Sequence, residues 1–347
     1  KVSAKAFETR TKPTTLKSDA NRGVLVIGHD RGGLSLESVR KFAKELGWPT
    51  IAEDPLSFPD AVAHASIFLT SAQIRAALIP QTVIVIGRTT LSRSINTFLK
   101  LAPTQIVIDP RMATVDSDRH ADKRFMQIPE LNTKTASPEW SEQWEKYADR
   151  AAKSIDVLSG FSEAVIAREI ASNLPEGSTL FVSSSRPIRD LEGFGAPRSG
   201  VRTYANRGLA GIDGNISTAL GIASASKQTF AVLGDLSFLH DLTGLIHRGE
   251  IDCCFIVINN DGGGIFSTLP QRGVDGFESV FGTPHGLDPA AIASAMGISA
   301  STISSVDELK KVLKSPVKGI SLVVANVASR DENADSLKAI YESMNSI

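Results

Sequence analysis

The run Gln228-Thr229-Phe230-Ala231-Val232-Leu233-Gly234-Asp235 decides the fold. Up to Leu233 it is apolar and rich in β-branched and aromatic residues, which predicts a buried strand, and Gly234-Asp235 falls where that strand must turn. Leu239 to Gly249 then reads as a helix. A second buried strand, Cys253 to Ile258, ends on Asn259-Asn260 and leads into Asp261-Gly262-Gly263-Gly264-Ile265-Phe266. Strand, helix and strand in succession build a parallel sheet, so both strands end at one edge. In open α/β sheets that carboxyl edge is where ligands bind.

The residues delivered there suit a divalent cation holding a diphosphate. Mg²⁺ takes hard oxygen ligands and is commonly shared between a carboxylate and phosphate oxygens. Asp235 offers the charge, the Asn260 amide a neutral oxygen and Gly262 a backbone carbonyl. Gly262, Gly263 and Gly264 let phosphate approach the backbone, and N–H groups at a helix start complement its charge. Each piece has a plainer reading: a helix N-cap at Asp235, and an Asn/Gly turn over Asn260 to Gly264. Their joint occurrence after consecutive buried strands, 25 residues apart, favours the cation site.

Towards the N-terminus the same alternation recurs. Lys1 to Asn21 is polar, basic and Thr-rich and reads as a tail or linker. Strands are predicted at Gly23 to Gly28, Trp48 to Ala52, Gln81 to Gly87 and Thr104 to Asp109, with a helix over Leu36 to Leu46. The motif Gly28-x-x-x-Gly32-Gly33 departs from the dinucleotide pattern and reads as a tight strand-to-helix turn. Arg88 and Arg93 follow the third of these strands, where they could meet an anion or stand as solvated charge. Ser137-Pro138-Glu139 opens a helix running towards Leu158, with an N-cap and Pro at its first turn. The expected plan is therefore α/β throughout: a tail (1–22), then two doubly wound parallel-sheet domains (23–136 and 137–347).

Beyond that helix, Phe161 to Leu174 reads as a helix and Ser178 to Ser183 as a strand. Asn206 to Gly214 leads into a small-residue helix, Asn215 to Ser226. The segment from Asp288 reads as helix (Pro289 to Met296), strand (Ser321 to Val327) and helix (Asn333 to Met344). Ser185, Arg189 and Arg207 follow strand ends or short loops. Two guanidiniums beside a neutral donor suit a dicarboxylate, and surface salt bridges fit the arginines equally well.

Bulk properties exclude several classes. The 347 residues carry a net charge of −1 with 22% charged, which offers no basic field for nucleic acid. No run of about 18 apolar residues exists to span a membrane. Cys253 and Cys254 adjoin in a buried strand, point to opposite faces and read as core thiols, as in a reducing cytoplasm. Lys1 replaces an initiating Met, which suggests a processed or truncated chain. Of the scattered histidines, His240 and His285 fall nearest the expected site, and none shows metal-ligand spacing.

Gly234-Asp235 followed about two dozen residues later by Asn259-Asn260 resembles the cofactor signature of the thiamine-diphosphate-dependent enzymes. The fuller wording, Gly-Asp-Leu-Ser-Phe-Leu-His-Asp-Leu and Asn-Asn-Asp-Gly-Gly-Gly-Ile-Phe, is most similar to the synthases of menaquinone biosynthesis. Leu236, where most of the family has a small residue, and Phe281-Gly282-Thr283-Pro284-His285 sharpen that likeness. The resemblance implies thiamine diphosphate with Mg²⁺ or Mn²⁺ as cofactors, with Asp235, Asn260 and Gly262 on the metal. It implies cofactor contacts at Gly211, Ile212, Gly234, Leu236, Ser237, Gly263 and Gly264, Ile212 being the wedge that holds thiamine bent. Ser185, Arg189 and Arg207 would hold carboxylates of 2-oxoglutarate and what is made from it, with Ile265 and Phe266 near the reacting centre. Arg93 would face the second substrate, isochorismate. The implied activity is that of a transferase: decarboxylation of 2-oxoglutarate, then 1,4-addition of the succinyl carbanion equivalent to isochorismate. The activating glutamate would come from an N-terminal pyrimidine-binding domain of a partner subunit in a homodimer or homotetramer. No such domain is recognisable here, so this chain is expected to contribute no catalytic base and to be inactive alone. Another thiamine enzyme, of acetolactate synthase or 2-oxo-acid decarboxylase type, and a non-catalytic binding fragment are the alternatives.

Overall fold

The computed structural model describes residues 14–111, 121–246 and 249–345. Among them the principal strands form two parallel sheets. The first has the order Thr50–Ala52, Gly23–Ile27, Thr82–Ile86, Thr104–Ile108, Lys123–Phe125. The second has the order Ser299–Ile303, Ile320–Asn326, Cys253–Asn259, Thr229–Gly234, Thr179–Val182, Arg202–Tyr204. Every pairing is parallel, and alternate residues of each strand enter separate apolar layers. Cys254 joins one layer and Cys253 the opposite one, both as free thiols. Helices cover both faces, as expected of doubly wound α/β domains.

Each sheet has a reversal of strand order beside its first strand, and these two reversals have different fates. In the first sheet the reversal lies between Gly23–Ile27 and Thr82–Ile86, and the chain itself fills it. A Cβ on Gly28 would stand 1.5 Å from the Arg88 carbonyl oxygen, and one on Gly87 2.1 Å from that of Asp30. Glycine is obligatory there because backbone meets backbone, so the Gly28 motif is indeed a tight turn. Arg88 pairs with Asp30 at 3.0 Å, and Arg111 pairs with both Asp30 and Asp109, which closes that edge with ion pairs. In the second sheet the reversal lies between Thr179–Val182 and Thr229–Gly234, and it stays open as a cleft.

Several sequence expectations change. The leading segment is more than a tail: Thr15–Ser18 pairs in parallel with Glu130–Thr133, anchored by buried Leu16, while residues 1–13 lie outside the described residues. The helix expected over Leu239 to Gly249 instead spans Asp235–His240 and gives way to a 3-10 turn, Leu242–Leu245. It stops because Asp241 is used elsewhere. Its carboxylate accepts from the Ile216 and Ser217 N–H groups and caps the helix Asn215–Ala223. A strand, Ser299–Ile303, and a helix, Val306–Lys314, stand between the first two of the three elements expected after Asp288. The helix Pro138–Asp156, assigned by sequence to the second domain, buries Trp140, Trp144, Ala151 and Ile155 against the first sheet. Trp144 sits edge-on to Phe68, Phe98 and Trp140, with ring centres 5.5–5.9 Å apart. The same layer takes in Ala164, Ala167 and Phe194, so the two sheets share core across their junction.

Candidate active site

The open cleft has a volume of about 230 Å³ and lies beyond the carboxyl ends of three adjacent strands. The strand Thr179–Val182 supplies Ser184 and Ser185, Thr229–Gly234 supplies Asp235, and Cys253–Asn259 supplies Asn260 and the glycines. Register places Gly234 opposite Ile258, which brings Asp235 and the Asn260 loop side by side.

Asp235 is only 2% exposed. Its Oδ1 accepts from the Leu236 N–H at 2.7 Å and its Oδ2 from the Gly262 N–H at 2.8 Å, with His285 Nε2 3.2 Å from Oδ2. Burial pushes this carboxyl above its ordinary range, against the pull of those donors. A cation beside it would supply the missing compensation.

Asn260 is oriented by its neighbours. Its Nδ2 donates to Glu163 Oε1, while Oδ1 is buried without a hydrogen-bond partner among the described residues. An unpartnered buried oxygen beside a buried carboxylate is the donor set a hard cation would complete. The loop after it is held tightly. A Cβ on Gly262 would lie 2.2 Å from the Gly282 carbonyl oxygen, and one on Gly264 2.4 Å from Asn260 Nδ2. Gly234, by contrast, has nothing within 4 Å of a built Cβ, so that side is open space for a ligand. Among the described residues no cluster of three or more His, Cys, Asp or Glu could hold a metal. One carboxylate with neutral oxygens suits magnesium instead.

The opposite wall is Ile212, an exposed apolar side chain on a loop fixed by Asn215. Asn215 Nδ2 donates to the Ile212 and Gly211 carbonyls and to Ser237 Oγ, at 2.7, 3.2 and 2.8 Å. Ser185 closes the third side with φ 76° and ψ −129°, a conformation that costs a non-glycine residue about 1–3 kcal/mol and concentrates at functional sites.

A second cleft of about 250 Å³ shares Ile265, Arg186 and Asp190 with the first and adds Arg93, Arg189 and Tyr341. Burial and the neighbouring Arg186 and Arg207 cations lower the pKa of Arg189, so an anion there would be welcome. Arg186 ion-pairs with Asp190 and, at 3.4 Å, with Glu163. Burial carries Asp190 up to about 7 against the pull of Arg186.

The structure thus gathers Ser185, Ile212, Gly234, Asp235, Leu236, Ser237, Asn260, Gly262, Gly263, Gly264, Ile265 and Phe266 around one cleft. Arg93 and Arg189 lie in the adjoining one, and Gly211 contributes a carbonyl to the loop clamp. Arg207 differs from the expected open guanidinium. Its Nη2 and Nε meet Glu53 Oε1 at 2.8 and 3.0 Å, and both residues are buried. Glu53 Oε2 also accepts from the His29 N–H at 2.9 Å, so this pair joins the two domains. His285 joins the site through Asp235, whereas His240 turns to Asp213. Glu163, Asp190, Asn215 and Glu53 escape sequence reasoning. Glu163 and Glu53 work through partners 97 and 154 positions away, whereas Asp190 and Asn215 meet near neighbours, Arg186 and the Gly211–Ile212 loop, without belonging to a recognisable motif.

Comparison with known proteins agrees with this geometry. A family model for the middle domain of thiamine pyrophosphate enzymes matches residues 2–182, and one for their C-terminal TPP binding domain matches 194–327. The 2-succinyl-5-enolpyruvyl-6-hydroxy-3-cyclohexene-1-carboxylate synthase of Thermobifida fusca is 37% identical over 309 residues, covering 84% of this chain and 55% of that protein. Its namesake from Bacillus cytotoxicus is 31% identical over 350 residues, covering 93% and 60%. The chain therefore spans less than two thirds of the length of these relatives.

Proposed function

The chain belongs to the thiamine pyrophosphate enzymes, and from that premise we propose that it forms the cofactor-binding part of a 2-succinyl-5-enolpyruvyl-6-hydroxy-3-cyclohexene-1-carboxylate synthase of menaquinone biosynthesis. The carrying observation is Asp235 beside the unpartnered Asn260 Oδ1 in a cleft that opens onto arginines. Asp235, Asn260 Oδ1 and the Gly262 carbonyl would hold Mg²⁺ or Mn²⁺, and with it the diphosphate of thiamine diphosphate. When bound, that cofactor supplies the electron sink needed to decarboxylate a 2-oxo acid. Ile212 supports the cofactor from the side, and Ile265 and Phe266 exclude water from the neighbouring space.

Arg189 and Ser185 would bind the 2-oxoglutarate carboxylates, with Arg207 held in line behind them by Glu53. Arg93 would orient isochorismate for the transferase step. Exposed apolar side chains, Leu209 (93% exposed), Val280 and Leu287, support a covering subunit in a homodimer or homotetramer. The two free thiols suit a cytoplasmic setting, and among the described residues no helix is long and apolar enough to cross a membrane.

The test is calorimetric titration with thiamine diphosphate, with and without Mg²⁺, followed by assay with 2-oxoglutarate and isochorismate in the assembled enzyme. Mg²⁺-dependent binding and turnover of that pair are expected. Cation-independent binding, or preference for pyruvate, would overturn the assignment.

A further inference from the structure

We infer that Glu163 is a positioning residue that sets which face of the Asn260 amide the cation meets. The inference rests on the cation site proposed above and extends it to a residue 97 positions away in sequence.

An amide side chain can present its oxygen or its NH₂ group, and the two orientations have almost the same shape. Only the oxygen can ligate a cation, so a free Asn260 would spend part of its time turned the wrong way. Glu163 removes that ambiguity. An ionised carboxylate only accepts, so the group facing it must be the NH₂, and Nδ2 donates to Oε1. Oδ1 is thereby turned the other way, where it is buried and has no hydrogen-bond partner among the described residues.

The Glu163 main chain is itself fixed. The Glu163 N–H donates to Asn333 Oδ1 at 3.0 Å, and Asn333 Nδ2 in turn donates to the Ala328 and Ser329 carbonyls. Arg186 reaches the far oxygen, Oε2, at 3.4 Å and balances its charge. Gly264 gives independent support. A side chain there would strike Asn260 Nδ2 at 2.4 Å and approach Glu163 Oε1 at 3.3 Å, so the missing Cβ keeps the contact possible. Partners of this kind around metal ligands typically contribute roughly 10–100-fold to affinity.

Mn²⁺ serves as the probe, its uptake by the purified protein followed by electron paramagnetic resonance with thiamine diphosphate present. Glu163→Ala should weaken Mn²⁺ binding by roughly tenfold or more, with the thermal transition still cooperative. Glu163→Met, which fills the same volume, replaces it if the alanine variant does not fold. Glu163→Gln keeps an acceptor and should retain most of the affinity. The decisive arm uses Asn260→Asp, whose two oxygens need no sorting. In that background removal of the Glu163 carboxylate should cost nothing, or improve binding by separating like charges. Unchanged affinity in Glu163→Ala, or an equal loss in both backgrounds, would overturn the inference. Absence of Mn²⁺ uptake by the unaltered protein would instead overturn the cation site itself.

Discussion

At the scale of single residues, buried carboxylates and what stands against them govern the outcome. Asp235→Ala removes the single charged ligand proposed for the cation. Mg²⁺-dependent thiamine diphosphate affinity should fall by more than the roughly 10–100-fold that an outer partner of a metal ligand is worth. The change also orphans the Gly262 N–H, at about 1–3 kcal/mol of stability, so calorimetry of binding should be read beside a thermal melt. Arg207→Ala leaves Glu53, 1% exposed, without its guanidinium, and should destabilise the fold by about 3–5 kcal/mol. Adding Glu53→Gln should recover part of that loss in chemical denaturation. If the single variant is as stable as the parent, the ion pair is not structural. Asp235 and Asn260 were legible in sequence because each directly follows a buried strand. Glu53 was not, because its partner lies 154 residues away and no local pattern marks it.

At the scale of elements, the site depends on how loops are pressed together. The Gly263 N–H donates to the Gly282 carbonyl at 2.7 Å, and Gly262 adopts φ 133° against the same segment. Gly262→Ala must drive the two loops apart. It should cost about 1–3 kcal/mol and weaken diphosphate binding, whereas Gly177→Ala, at positive φ with nothing within 4 Å of its Cβ, tests backbone strain alone. Equal effects in thermal melts and cofactor titrations would mean that loop contact is not the cause. The central strands were readable because they are fully buried apolar runs. Ser299–Ile303 was not: it is an edge strand with mostly polar, exposed residues, Ser-Ala-Ser-Thr-Ile, and pairs on one side alone. The end of the helix Asp235–His240 was equally hidden, since Asp241 is drawn off to cap a helix that precedes it in the chain.

At the scale of the whole molecule, titration of the junction should appear in stability. The Asp190 carboxyl stands at about 7 in the fold, against an ordinary 3.8. Below the lower value both folded and unfolded chains hold the proton. Between the two only the unfolded chain releases it, so stability falls as pH rises, by up to about 1.4 kcal/mol per pH unit. Above the upper value this contribution levels off. Asp190→Asn should flatten that decline, as read from melting temperatures across the range. An identical pH profile in the variant would show that Asp190 is already ionised in the fold. The doubly wound plan of both halves was plain from alternating strands and glycine turns, while the shared layer around Trp144 emerges only when the chain is folded. The Glu53–Arg207 pair carries a consequence for recombination between relatives. A hybrid gene joined near residue 158 would inherit the acid from one parent and the base from the other. Such hybrids should express well only when both parents keep the pair, or when the two codons are exchanged together.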